Sequence, residues 1–181
     1  MDKNAHQTGN YLFLLVFLIL TIVLAMTLRN VMMVKILGLS LLFGLCLSAY
    51  LITRRRRDQI VLLPMGAAAL AVYVMLHTSS EPNLLKYFDK FLWMGFVGYL
   101  ILIVYRQIFN AKSIHSQEIY GVISAYLLMG IMFSQVFDLI LIIDPAAISF
   151  DPKNIAGGVL HGGDVLYFSF VTLATVGYGD M

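Results

Sequence analysis

The chain is poor in the groups that do chemistry in water. Of its 181 residues only 12% are charged, four are histidine, and Cys46 is the single cysteine. One thiol excludes an intrachain disulfide and says little about redox compartment. A net charge of +2 is too small to mark a nucleic-acid partner, and the basic residues gather in short clusters between apolar runs. No paired carboxylates, His-rich metal motif or activated nucleophile stands out, so the residues argue against an enzyme and require no cofactor. There is no internal repeat and no low-complexity segment.

What the chain has in quantity is apolar surface. Sixty per cent of its residues are hydrophobic and the mean hydropathy is +0.86. That balance makes the bilayer, with its lipid, the expected solvent and partner. Five runs, 11–28, 31–53, 60–76, 91–108 and 119–143, have about the 20-residue length of a membrane helix. A cleaved signal peptide is the competing reading of the first run, but 21–28 offers no small-residue cleavage site. The expected fold class is therefore all-α, a polytopic helical membrane protein.

Small residues recur four apart inside these runs and predict close helix contacts: Ser40, Gly44 and Ser48, then Gly130, Ser134 and Asp138. Gly66 to Ala69, and Gly121 with Ala125, are further candidates. The four arginines 54–57 sit between the second and third runs, where the positive-inside rule gives them a topological role. Arg106 and Lys112 then fall on the same, cytoplasmic, side as an N-terminus placed inside. Residues 77–90, with His77 and Lys90, read as a polar connection. Gln135 and Asp138 are the strongly polar residues deep in the fifth run, with Asp138 about 28 Å along its helix if Ile119 marks the inner surface. Asp138 is equally suited to a structural hydrogen bond and to a role near the outer surface. The fourth run would carry a basic residue at every third position if it sensed voltage, yet only Arg106 is basic. No steep voltage dependence is expected.

The stretch that organises the rest is 164–180, D-V-L-Y-F-S-F-V-T-L-A-T-V-G-Y-G-D. Asp164 is a good N-cap, and the apolar, aromatic run 165–174 predicts about 15 Å of helix, too short to cross a bilayer. It runs directly into Thr175, Val176, Gly177, Tyr178 and Gly179. Two glycines allow backbone conformations that a β-carbon resists, as aiming successive carbonyls at one axis requires. A dinucleotide-type glycine loop is excluded, because it needs a preceding strand, a following helix and a third glycine.

This segment resembles the selectivity filter of the potassium channel pore-loop family, where carbonyl oxygens from four loops replace the water shell of the ion. The order of outer helix, turret (144–163), pore helix and filter extends the likeness back to Ile119. The whole resembles a prokaryotic-type subunit with four helices before the pore unit and no voltage-sensor arginines. The resemblance implies a division into a four-helix membrane domain, 1–118, and a partial pore domain, 119–181. It implies that potassium is the permeant ion, held mainly by the carbonyls of Thr175, Val176, Gly177, Tyr178 and Gly179, with the Thr175 hydroxyl at the inner end. Tyr167 and Phe168 would brace Tyr178, Asp164 would start the pore helix, and Asp180 would stand at the outer mouth. Four identical chains would surround one axis in the cell membrane, with the filter entered from outside. The inner helix that should follow is absent after Met181, which leads us to expect a fragment or truncated product of a longer subunit. Some potassium channels have a glutamate where this chain has Val171, so the bond that holds their filter aspartate cannot form here. The alternatives are a non-conducting subunit, a weakly selective cation channel and a transporter.

Overall fold

The structure is a computed structural model that describes residues 5–28, 31–53, 56–78, 83–110, 115–145, 147–148 and 161–177. Among these described residues six helices follow one another: α1 (Ala5–Thr27), α2 (Val31–Ile52), α3 (Arg56–Thr78), α4 (Asn83–Phe109), α5 (Ser116–Ile143) and α6 (Gly162–Leu173). In lipid every backbone amide and carbonyl must be satisfied inside its own segment, and a helix does this. The expected class holds: the chain is an all-α, multi-pass membrane bundle. Among the described residues four helices, α2 to α5, are long and apolar enough to cross a membrane; the apolar part of α1, Tyr11–Thr27, is shorter.

Two boundaries differ from the sequence reading. The connection expected over 77–90 is mostly helical, because α3 runs on to Thr78 and α4 begins at Asn83. His77 and Lys90 therefore belong to helices. Likewise α3 starts at Arg56 and takes Asp58 into its first turn, where a carboxylate suits the positive end of the helix dipole. Polar residues at the ends of a bundle can face water without leaving the helix, so polarity alone marks these ends too early.

The first five helices form a closed circuit. Each packs beside the next in the chain, and α1 closes the ring against α5. The sixth helix lies in the groove between α1 and α5. Leu14, Leu18, Leu42, Leu45, Phe96, Val97, Leu100 and Leu128 fill the centre of the ring. The outward side chains are also apolar, with Phe43 64%, Ile60 70% and Phe109 82% exposed, as expected of a surface whose solvent is hydrocarbon.

Because lipid is as apolar as leucine, close contact rather than water exclusion must hold such helices together. A β-carbon at Gly44 would run into the Phe17 ring, so that ring rests directly on the backbone of α2. Ser48 on the same stripe is buried, whereas Ser40 is exposed and bonds its own Leu37 carbonyl. Polar contacts collect at the two ends of the bundle. At one end the Tyr11 hydroxyl donates to Gln107 (2.6 Å), whose amide donates to the Ile52 carbonyl (3.1 Å), and Tyr99 donates to Asp58 (3.0 Å). At the other, Lys90 meets Gln135 and Asp138.

Candidate functional site

The sequence placed its functional residues on and after the short helix, and α6 is that helix. It spans 12 residues, about 18 Å at 1.5 Å per residue, and is amphipathic enough to bury Val165, Leu166 and Ser169. It begins three residues earlier than 165. The N-cap is His161, not Asp164; Asp164 is the third helical residue, and its carboxylate accepts the His161 backbone N–H at 2.9 Å. The reason is the reciprocal arrangement of a capping box, in which an acid one turn in serves the amide before the helix. The same device starts α5, where Glu118 accepts the His115 N–H at 2.8 Å.

Four contacts fix α6 in its groove. A β-carbon at Gly163 would stand 2.6 Å from the Ala25 carbonyl oxygen, so the first turn lies directly on the backbone of α1. In the middle, Ser169 donates to the Gly130 carbonyl at 2.6 Å, and the Phe170 ring covers Gly130 so closely that it leaves no room for a β-carbon there. Phe168 meets Phe137 edge-on, ring centres 4.8 Å apart. Gly130 precedes Phe137 along α5, whereas Phe170, which covers Gly130, follows Phe168, which meets Phe137, along α6. The short helix thus runs antiparallel to α5, from the end of that helix to its midpoint. Its C-terminus comes to rest half-way through the bundle.

There the chain stops being helical in a defined way. The Thr175 N–H donates to the Thr172 carbonyl (3.0 Å) and the Val176 N–H to the Val171 carbonyl (3.1 Å). These are the two bonds of a Schellman ending, which requires a left-handed residue just past the cap and usually finds glycine there. Here that residue is Thr175, at φ 55°. Alone among the described residues other than glycine it has positive φ, and a β-branched side chain makes it a genuine outlier. The sign of φ alternates: Ala174 lies at −79°, Thr175 at 55° and Gly177 at 52°, with Val176 between the last two not in the positive region. Ala174, Thr175, Val176 and Gly177 are all exposed on the single chain.

The candidate residues divide accordingly. Thr175, Val176 and Gly177 form one irregular, exposed stretch, and Asp164 and Phe168 act in seating the helix before it. Tyr167 is half-buried on the same helix. Tyr178, Gly179 and Asp180 lie outside the described residues, and with them the proposed bracing of Tyr178 and the outer mouth. His161 serves as an N-cap, its ring nitrogen 3.9 Å from the Asp164 carboxylate.

Sequence reading found Asp138 and Gln135 but not their partner. Lys90 donates to Gln135 Oε1 at 2.7 Å and to Asp138 Oδ2 at 2.9 Å, joining the start of α4 to the end of α5. The signal was present as opposite charges at matching ends of two successive antiparallel helices. Of the two roles weighed for Asp138, the structural bond is the one the geometry displays.

Comparison with known proteins adds one match. Residues 125–181, from the middle of α5 through the glycine motif, match the model of a family described as ion channel. The matched stretch, about the last third of the chain, is thus similar to a channel-forming segment. No curated protein and no solved structure matches the chain.

Proposed function

We propose that the chain is a subunit of a potassium-selective channel, in which four copies bring the 175–179 loops together around one ion pathway. One observation carries this reading: exposed, non-helical backbone at the mid-depth of a membrane bundle, at Thr175 to Gly177. Such backbone is tolerated within hydrocarbon only where it faces protein or water. Further copies and a hydrated axis supply both. The alternating sign of φ supports the same reading, since it turns successive peptide planes so that their carbonyls share a side. In the assembled pore those carbonyls, with the Thr175 hydroxyl, take the place of hydration around potassium. Neutral oxygens suit an ion that must also leave quickly.

The orientation we favour puts the N-terminus and Arg56, Arg57 and Arg106 on the cytoplasmic side, and the start of α6 on the outer side. The loop is then entered from outside, with Asp180 at its mouth. The fourth helix has no ladder of basic residues, so opening is not steeply voltage-dependent.

Flux through liposomes containing the purified protein tests the reading. The expected result is passive potassium flux far above sodium flux, abolished by Gly177→Val. Comparable potassium and sodium flux would instead make it a weakly selective cation channel, slow saturable flux a transporter, and absence of flux a non-conducting membrane subunit.

A further inference from the structure

At the end of the bundle where α6 begins, all six helices contribute walls to a cavity of about 220 Å³. It is separate from the 175–177 loop, which leaves the opposite end of α6. The lining changes character with depth. Toward the start of α4 and the end of α5, Lys90 and Asp138 stand 2.9 Å apart with side chains 19% and 31% exposed, and they form the rim. One turn further in, the same two helices bring Trp93 and Ser134 to the wall and α1 brings Thr21, all buried. Leu41, Ile131 and Leu166 complete this floor. Opposite charges thus meet at the rim, and the floor is made of neutral groups. Asp89, also on the wall, is buried and engaged within the chain.

The floor offers hydrogen-bonding groups of both kinds. Thr21 donates to the Phe17 and Leu18 carbonyls (both 2.9 Å) and Ser134 to the Ile131 carbonyl (2.7 Å), so each hydroxyl has only lone pairs left to offer. The indole N–H of Trp93 is the reverse case. It is a donor on a side chain only 6% exposed, and no acceptor meets it among the described residues. A buried donor left unmet is costly, so this one calls for an acceptor from the cavity side. Nearer the rim the Gln135 amide, the third Lys90 hydrogen and the first backbone N–H groups of α6, at Gly162 and Gly163, are further donors beside the Asp89 and Asp138 carboxylates. Donors and acceptors are therefore mixed along the whole wall. Such a lining selects a group that can do both.

We infer that this cavity binds a small neutral alcohol or phenol, a hydroxyl group on a compact apolar or aromatic body. A hydroxyl accepts and donates at once, so it can take the indole N–H of Trp93 and give its own hydrogen to the Thr21 or Ser134 oxygen. An ammonium has no lone pair for the indole, and a hydrocarbon answers neither group. The apolar body belongs against Leu41, Ile131 and Leu166, a surface that holds water poorly. Size agrees, since a cavity of roughly 150 Å³ holds benzene and this one, at 220 Å³, has room for a ring with a short hydroxyl arm. Molecules of this class dissolve in the bilayer that surrounds the bundle. A ligand bound here touches walls from all six helices, and so stabilises the folded bundle by mass action.

Trp93 is the only tryptophan in the chain, so one indole N–H resonance reports directly on the cavity. The full-length chain in lipid nanodiscs is titrated with 2-phenylethanol and, separately, with propylbenzene and with 2-phenylethylammonium, at matched concentrations in the lipid. The expected result is a saturable shift of the indole proton and a saturable rise in unfolding temperature with the alcohol, with both analogues about tenfold weaker or more. Trp93→Phe keeps an aromatic floor without the N–H; by unfolding temperature it should weaken the alcohol about tenfold and leave propylbenzene unchanged. No saturable shift, equal or tighter binding of either analogue, or an alcohol response that survives Trp93→Phe undiminished would overturn the assignment. The three probes on the unaltered protein decide the matter even if the variant fails to fold, and no arm of the test depends on ion conduction.

Discussion

The two ends of α6 are built on opposite terms. At its start the chain does what helices prefer: an acid one turn in accepts the amide before the helix, and a glycine lets the first turn lie on α1. At its finish the chain adopts a left-handed residue, the usual way to stop a helix, but fills the position with threonine instead of glycine. A left-handed conformation costs an L-residue about 1–2 kcal/mol. Conformations of this kind persist only where the surroundings determine them, and they gather at functional sites. The comparison separates the part of the segment that is seated from the part we propose is used. Between the two ends, Ser169 and Phe170 on Gly130 form the seat that holds the costly end in place.

The comparison breaks most severely at that seat. Gly130→Leu would drive a side chain into the Phe170 ring, where even a β-carbon has no room. Overpacking of this kind costs about 1–3 kcal/mol, to be seen as a lower unfolding temperature in detergent and a loss of ion flux. Adding Phe170→Ala to the same chain should recover part of the stability, because it clears the atoms that clash. If Gly130→Leu alone is neutral, the helix is not held there. A smaller loss is expected at the seated end. Asp164→Ala removes the acceptor for the His161 amide and the charge that faces the helix dipole, and should cost about 1 kcal/mol in thermal unfolding. It should leave the selectivity of any residual flux unchanged, since it acts on how firmly α6 starts and not on the loop.

The legible part of this molecule was what one local rule decides. Long apolar runs gave five helices, and the segment after residue 163 gave a short sixth, because length and hydropathy answer to the bilayer alone. Small residues at Gly44 and Gly130 announced close approach, and rings from α1 and α6 rest on them. The sequence was less informative where two rules compete. Asp164 looked like a cap because it is a good one, but the acid three residues past His161 works equally well from inside the helix. Lys90 looked like a loop residue because it lies in a polar stretch; its role became visible only when α4 and α5 placed it opposite Asp138. The place of α6 between α1 and α5 could not be read from any segment by itself, since it depends on which helices close the ring.

The smallest expected effect is also the most discriminating, because its two readouts should move in opposite directions. Glycine at 175 would remove the left-handed penalty of about 1–2 kcal/mol, while its greater freedom in the unfolded chain returns roughly 0.5–1 kcal/mol. Thr175→Gly should therefore raise stability slightly, by about 0.5–1 kcal/mol, visible as a modestly higher unfolding temperature. If the residue serves only to stop the helix, flux and its preference for potassium should be unchanged or improved along with stability. If the threonine hydroxyl is part of the ion's coordination, potassium preference should fall even as the protein becomes harder to unfold. A loss of stability would contradict the left-handed geometry itself. A gain in stability with a loss of selectivity is the result that ties the strained end of α6 to the passage of ions.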